Sequence, residues 1–283
     1  MGEGPPRSSR ADDARTPATL GDVSYAFVKG HGTENDFVVL PDPAGTVHGD
    51  LSADRVRALC DRRAGLGADG VLRAVRDGDG WFMDYRNADG SVSEMCGNGI
   101  RVFARYLHER EGEAFPMKIH TRDGIKVLDR AGADLTADMG APEVFGDTSV
   151  TVLGRTWPAR HVSMGNPHAV AFVDNLAEAG PLLEEPEHDD ALYPDGVNVE
   201  FVVRRGEHHV AMRVHERGSG ETRSCGTGAC AVAVAAALAD GAPRGTAYRV
   251  DVPGGTLSVV WTEDDRVLLT GPAVLVAEGL TDL

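Results

Sequence analysis

The feature that most constrains this chain is an internal repeat. The first half reads Asn35, then Asp69-Gly70-Val71, Asn87 and Cys96-Gly97-Asn98-Gly99. The second half reads Asn166, then Asp195-Gly196-Val197, Glu216 and Cys225-Gly226-Thr227-Gly228. Asn87 precedes Cys96 by nine positions and Glu216 precedes Cys225 by nine, while Asn35–Cys96 spans 61 and Asn166–Cys225 spans 59. One Cys-Gly-x-Gly segment is weak evidence, but two copies at matched distances from other matched residues imply a duplicated fold. Duplicated halves tend to face each other across a pseudo-two-fold axis. The two Cys-Gly-x-Gly segments, each opening a helix, are therefore expected at the interface between the halves, where pockets form.

The length agrees with two units, since 283 residues at ~150 per domain gives about two. Asp and Glu number 44 against 28 Lys and Arg, a formal charge of −16 that repels phosphate backbones and makes nucleic acid a poor partner. No apolar run approaches the ~18 residues of a membrane span, and no apolar signal segment precedes the body of the chain. Four cysteines are too few for a disulfide scaffold, so a cytoplasmic protein is expected. Lysine stands only at Lys29, Lys118 and Lys126, in strand-like stretches, which leaves few candidates for a Schiff base.

Residues 1–22 mix Gly, Pro, Ser, Arg and Asp without apolar period and read as a disordered tail. Strands are expected from Val23 to Val28, Asn35 to Leu40, Gly70 to Arg76 and Trp81 to Asn87, with a hairpin turn at Asp77–Gly80. Ser52 reads as the N-cap of a short helix, and a longer one is expected over about Asn98–Glu109. Three more strands, Met117–His120, Ile125–Leu128 and Asp134–Met139, bring the chain to Gly140-Ala141-Pro142, the expected boundary. Beyond it come Thr156–Ser163, His168–Val173, Asn198–Arg204, His209–Glu216, a helix over Gly228–Ala239, and strands at Tyr248–Val252, Thr256–Trp261 and Val267–Leu269. The expected domains are 23–141 and 142–271, with 272–283 returning to the first after Gly271-Pro272.

A cysteine at a helix N-terminus meets unsatisfied N–H groups and the positive end of the macrodipole. Its thiolate is then expected to be favoured and its pKa drawn below ~8.5. Bare N–H groups beside glycines suit a carboxylate. Two facing helix starts would hold one carboxylate between two thiols, an arrangement for removing a proton from one face of a carbon and delivering one to the other. Other readings fit less well. A phosphatase loop needs five residues between Cys and Arg, and Cys96 and Arg101 have four. Cys225 and Cys230 with distant histidines are a poor match to a zinc site. Cys60 and Cys230 lack the glycine context and read as buried small hydrophobes. A thiol redox protein, a racemase of another amino acid and a non-catalytic binder remain as rivals.

Glu94-Met95-Cys96-Gly97-Asn98-Gly99 and Ser224-Cys225-Gly226-Thr227-Gly228 closely resemble the paired signatures of the diaminopimelate epimerase family. So do Gly32-Thr33-Glu34-Asn35-Asp36-Phe37, Asn87-Ala88-Asp89-Gly90-Ser91, Gly165-Asn166-Pro167-His168, Gly196-Val197-Asn198 and Glu216-Arg217-Gly218, and the resemblance runs from about Tyr25 to Leu275. It implies interconversion of LL- and meso-2,6-diaminopimelate, on the route to lysine and peptidoglycan, without pyridoxal phosphate or metal. Cys96 and Cys225 would be the two bases, and His168 and Glu216 would orient and tune them. Backbone N–H groups around Gly97-Asn98 and Gly226-Thr227 would bind the carboxylate at the reacting centre. Asn35, Asn87, Asn166, Asn198, Glu216 and Arg217 would recognise the rest of the substrate. The implied fold is α+β, with two pseudo-symmetric domains, each a β-barrel-like, mainly antiparallel sheet around a central helix. A homodimer is compatible with this reading. Gly70 departs from the family pattern: some members carry a side chain there that reaches the substrate, and glycine cannot.

Overall fold

The computed structural model describes residue 1 and residues 24–283; the expected tail at 1–22 lies outside this span except for its first residue. The described residues are mostly sheet, with three α-helices. In the first half, β1 (Tyr25–Gly32), β2 (Asn35–Pro41), β3 (Gly70–Asp77), β4 (Gly80–Asn87), β5 (Met117–Thr121), β6 (Gly124–Ala131) and β7 (Asp134–Asp138) hydrogen-bond in that order. They curve around α2 (Gly97–Arg110), while α1 (Ala53–Cys60), N-capped by Ser52, packs outside on β3.

The second half repeats this plan with β8 (Glu143–Val152), β9 (Arg155–Ser163), β10 (Pro167–Phe172), β11 (Asn198–Gly206) and β12 (His209–Glu216). A short β13 (Gly220–Thr222) folds back on β12, and β14 (Ala247–Val252), β15 (Gly255–Trp261) and β16 (Val267–Gly271) complete the series. These strands enclose α3 (Gly226–Asp240). Its Ala- and Val-rich run from Ala229 to Ala237 is buried on every side, as an apolar helix without a polar face must be. Gly241 ends it at φ +60°, the left-handed geometry that glycine adopts freely.

Two antiparallel ladders, β7 with β16 and β1 with β17, join the two halves. At the far edges the halves exchange strands. The strand that follows β7, β8, pairs with β9, and the strand that follows β16, β17 (Val274–Thr281), runs across to pair with β1. Among the described residues four ladders are parallel (β2–β3, β4–β5, β10–β11, β12–β14) and the rest antiparallel. Among the described residues β17 pairs with β1 alone, and β8 with β9 apart from one bridge to Glu187, so each sheet wraps its helix without closing into a barrel.

Two expectations need correction. The Asp-Gly-Val tripeptides are not structural equivalents: Phe37 pairs with Gly70 in β2–β3, whereas His168 pairs with Asn198 in β10–β11. Phe37 and His168 each stand two residues after the repeated asparagine, so Gly70 corresponds to Asn198 and the tripeptide of the second half lies out of step, before its strand. The strand β8 has no counterpart among the sequence-expected elements. Its residues are mostly exposed and a bulge at Gly146 (φ +138°) interrupts it, so the alternation that marks a half-buried strand is missing.

Candidate active site

The two helix starts meet head to head. A Cβ placed on Gly226 would lie 3.1 Å from Gly97 Cα, and one on Gly97 would lie 3.4 Å from Gly226 Cα. Only glycines allow backbones this close. Each helix is N-capped by its own cysteine. Gly99 N–H donates to Cys96 Sγ (3.4 Å) and Gly228 N–H to Cys225 Sγ (3.4 Å), the capping contact that Ser or Asp makes in most helices.

Around Cys96, Asn35 is fixed from both sides. Its Nδ2 donates to Asp69 Oδ2 (2.7 Å), while its Oδ1 accepts from the Cys96 thiol (3.6 Å) and from Asn98 Nδ2 (3.2 Å). Asn98 turns its side chain inward, fully buried, and bridges the halves by donating to Ser224 O (3.1 Å) and Ser224 Oγ (3.1 Å). Ser224 Oγ also meets Thr33 Oγ1 (2.6 Å), at the start of the Thr33-Glu34 turn whose two residues hold φ of +49° and +62°. Arg101, on the second turn of α2, is entirely buried and donates to Gly97 O (2.9 Å) and Asn98 Oδ1 (2.8 Å); among the described residues it has no carboxylate partner and its Nε is unpaired. The equivalent place on α3, five residues after the capping cysteine, is Cys230.

Around Cys225 the neighbours are acidic. The Cys225 thiol reaches Glu216, which also accepts from Thr222 Oγ1. Thr227 Oγ1 lies 3.5 Å from Cys225 Sγ and accepts from Asn166 Nδ2 (3.3 Å). Asn166 Oδ1 faces His168 Nε2 (3.1 Å), and His168 Nδ1 meets Glu200 Oε1 (2.6 Å), both side chains fully buried. Asn198 and Arg217 form a brace nearby: Arg217 N–H donates to Asn198 Oδ1 (3.0 Å) and Asn198 Nδ2 to Pro167 O (3.1 Å). The exposed Arg217 guanidinium lines a cavity of about 320 Å³ with Glu185, His188 and Asp195. Asn87 ends β4 opposite Gly70 and donates to Ser91 Oγ (3.0 Å), without a hydrogen bond to the other candidates.

The expectation that helix N-termini lower both thiol pKa values does not hold in this arrangement. Burial pushes Cys96 up to about 11, with Glu216 raising it further; the Gly99 and Asn98 N–H groups and Arg101 only partly offset this. Burial also pushes Cys225 well above the ordinary thiol range, reinforced by Glu216 and Glu200 and relieved by Thr227 and the Gly228 N–H. Desolvation of an ion outweighs the few dipoles at one helix turn. For the same reason burial raises Glu216, against the hydrogen bonds it accepts from Thr222 and Cys225. Both thiols, Glu216 and Asp69 bear on the buried Tyr85, whose hydroxyl burial and these neighbours hold strongly protonated.

Sequence reasoning gave no role to Thr33, Asp69 and Ser224, although they stand inside the quoted motifs, nor to Tyr85, Arg101 and Glu200. The Tyr85 ring occupies the space a Cβ on Gly70 would need, 2.7 Å from it, which explains why a residue without a side chain stands there. Arg101 was legible as an arginine with no place on an apolar helix face; Tyr85 and Glu200 carry no local signal.

Comparison with known proteins fits this geometry. The family model described as diaminopimelate epimerase matches residues 27–145 and 160–276. The diaminopimelate epimerase of Streptomyces coelicolor is 58% identical over 280 residues, covering 91% of this chain and 95% of that protein. That of Rhodococcus jostii is 45% identical over 289 residues, covering 90% and 96%. A hydroxyproline epimerase from Agrobacterium vitis shares the fold at TM-score 0.66 and 17% identity, covering 91% of this chain and 92% of that one. A phenazine biosynthesis protein of the PhzF family from Bacillus anthracis does so at TM-score 0.68 and 15% identity, covering 91% and 99%.

Proposed function

The chain belongs to the diaminopimelate epimerase family, and on that premise we propose that Cys96 and Cys225 are its two acid–base groups. The enzyme is an isomerase that interconverts LL- and meso-2,6-diaminopimelate, a step of lysine biosynthesis, by the family's thiol mechanism. The observation that carries the assignment is the head-to-head contact of two helix starts, each capped by its own thiol.

In this reading the substrate α-carboxylate lies over the N–H groups of Gly97, Asn98, Gly226 and Thr227, where two helix dipoles add. One cysteine acts as thiolate and takes the α-proton from its face, leaving a carbanion stabilised through that carboxylate. The other, as thiol, returns a proton to the opposite face and becomes the thiolate. The net change is inversion, and the pair shares one proton across the cycle. The high pKa values of the buried thiols suit this work, because a basic thiolate removes a weakly acidic α-proton better than a relaxed, solvated one. His168 and Glu216 tune Cys225. Asn35, Asn87, Asn166, Asn198, Glu216 and Arg217 recognise the substrate; the exposed Arg217 fork suits its distal carboxylate.

We take residues 23–141 with 272–283, and 142–271, as the two domains. A homodimer is supported by the exposed Val274, Val276 and Leu280 on edge strand β17. A cytoplasmic location accords with four free cysteines, which need reducing surroundings. Among the described residues no helix is long and apolar enough to cross a membrane.

The test is incubation of LL-diaminopimelate in deuterated water. Deuterium is expected at one α-carbon of the meso product, and Cys96→Ala or Cys225→Ala should lower turnover by about 10³-fold or more. Full turnover by either variant would remove that cysteine from the mechanism.

A further inference from the structure

Buried beneath the first turn of α3, Glu200 is the far end of a hydrogen-bonded chain that ends on a sulfur. A Cβ on Gly228 would lie 2.6 Å from Glu200 Oε1 and 3.3 Å from Cys225 Sγ, so the carboxyl sits directly under the capped turn. The chain runs Glu200 Oε1, His168, Asn166, Thr227 Oγ1, Cys225 Sγ, with links of 2.6, 3.1, 3.3 and 3.5 Å.

The donors and acceptors in this chain have one consistent direction. Asn166 Oδ1 is an acceptor, so the His168 Nε2 facing it carries a hydrogen. The contact between His168 Nδ1 and Glu200 Oε1 needs one more hydrogen, on either atom. Glu200 Oε2 is buried without a partner among the described residues, and burial raises the Glu200 pKa, both of which favour the hydrogen on the carboxyl; so protonated, Glu200 no longer carries the charge that would push Cys225 up, and acts on that thiol only through the chain. With the Asn166 oxygen so engaged, its Nδ2 turns to Thr227 and donates to the hydroxyl oxygen. The Thr227 hydrogen is then free for the Cys225 sulfur.

The first half lacks this device. By strand register Phe37 stands where His168 does, and Leu72, two residues after Gly70, where Glu200 does. The buried charge near Cys96 is Arg101 instead. The two thiols are therefore served differently within a duplicated frame.

We propose that Glu200 is a positioning residue that fixes the direction of the His168–Asn166–Thr227 chain, so that the Thr227 hydroxyl donates to the Cys225 sulfur and supports its thiolate. Its catalytic meaning rests on the role of Cys225 proposed above. The test instead reads the thiol without substrate, so the two ideas fail separately. The full chain is alkylated with iodoacetamide at fixed pH values from about 7 to about 8.5, where the fold is stable, and Cys225 and Cys96 peptides are quantified by mass spectrometry. Glu200→Leu and Thr227→Val should each slow Cys225 alkylation about tenfold at a given pH, the loss of thiolate that corresponds to a midpoint about one pH unit higher. The Cys96 rate should stay nearly unchanged. The double variant should slow no further than either single change, because both break one chain. Glu200→Gln, whose amide can donate to His168 Nδ1, should restore the rate. Leucine already occupies the matching register in β3; if Glu200→Leu does not fold, His168→Phe, which copies Phe37 at the matching register in β2, interrupts the same chain. Additive losses, equal slowing of Cys96, or an unchanged Cys225 rate would overturn the proposal.

Discussion

Replacing Gly226 by alanine tests the contact on which the site is built. The added methyl would lie 3.1 Å from Gly97 Cα and 3.3 Å from both Gly97 C and Asn98 N. All three are backbone atoms of the opposing helix start, so none can swing aside by changing rotamer. Ordinary contact begins near 3.4 Å, and relieving three close contacts at once requires the two helix starts to part by about half an ångström, at a cost of about 1–3 kcal/mol. The same displacement moves the thiols relative to one stereocentre, where misplacement by ~1 Å costs on the order of 10²-fold in rate. Gly226→Ala should therefore lose about 10- to 100-fold in kcat while its Tm falls by only a few degrees. Gly97→Ala is the control. Its methyl would meet the tips of Leu269 (2.9 Å) and Met139 (3.0 Å), flexible ends that can shift, and stays 3.4 Å from Gly226 Cα. The kcat loss should be several-fold smaller. Deuterium wash-in and differential scanning calorimetry on both variants decide the matter. Wild-type turnover by Gly226→Ala, or equal losses in the two variants, would refute the head-to-head contact.

Arg101→Met removes the donors to Gly97 O and Asn98 Oδ1 together with the buried cation near Cys96. Turnover should fall about 10-fold or more with slower alkylation of Cys96 at pH 8, and unchanged kinetics would show that the guanidinium only fills space. Burial raises Cys60 and Cys96 to about 11 and Cys230 to about 12, whereas thiols of an unfolded chain ionise near ~8.5. Folded pKa values above unfolded ones give stability that is complete below about pH 8.5 and lost as pH climbs toward 11. Thermal melting should show Tm declining over that window, and a flat Tm to pH 11 would contradict the burial of these thiols. Gly254→Ala would place a methyl 1.9 Å from Thr33 O, prising the Thr33-Glu34 turn off the second half. It should abolish soluble folded protein or cost several kcal/mol by urea unfolding, and a near-neutral result would show that the turn is free to move.

Much of the site was legible because its chemistry needs residue types that stand out singly. The Cys-Gly-x-Gly segments announced helix starts, a capping sulfur and close backbone approach, and those features are local. The strand periods were local too, which is why β1 to β7 fall close to their expected spans. What sequence could not show depends on register and burial. The Asp-Gly-Val tripeptides looked equivalent, yet ladder pairing puts Gly70 opposite Phe37 and Asn198 opposite His168. Thiol pKa values were misjudged because helix position is visible in sequence and desolvation is not. Glu200 sits in an apolar strand, Val197-Asn198-Val199-Glu200-Phe201, where nothing nearby marks it as the partner of a histidine 32 residues earlier. Edge strand β8 escaped notice because exposed strands carry little apolar signal.

The exchange of β8 and β17 has a consequence for how the protein comes into being. A ribosome releases β1 early, but the neighbour of β1 on its free side, β17, follows every other strand named above in chain order. Until β17 is made, the nascent first half carries an unpaired strand edge open to mispairing, and no product truncated before β17 satisfies it. Duplication here leaves the outer edge of each half resting on a strand contributed by the other. Any attempt to express one lobe alone must graft onto it the strand that its twin supplies.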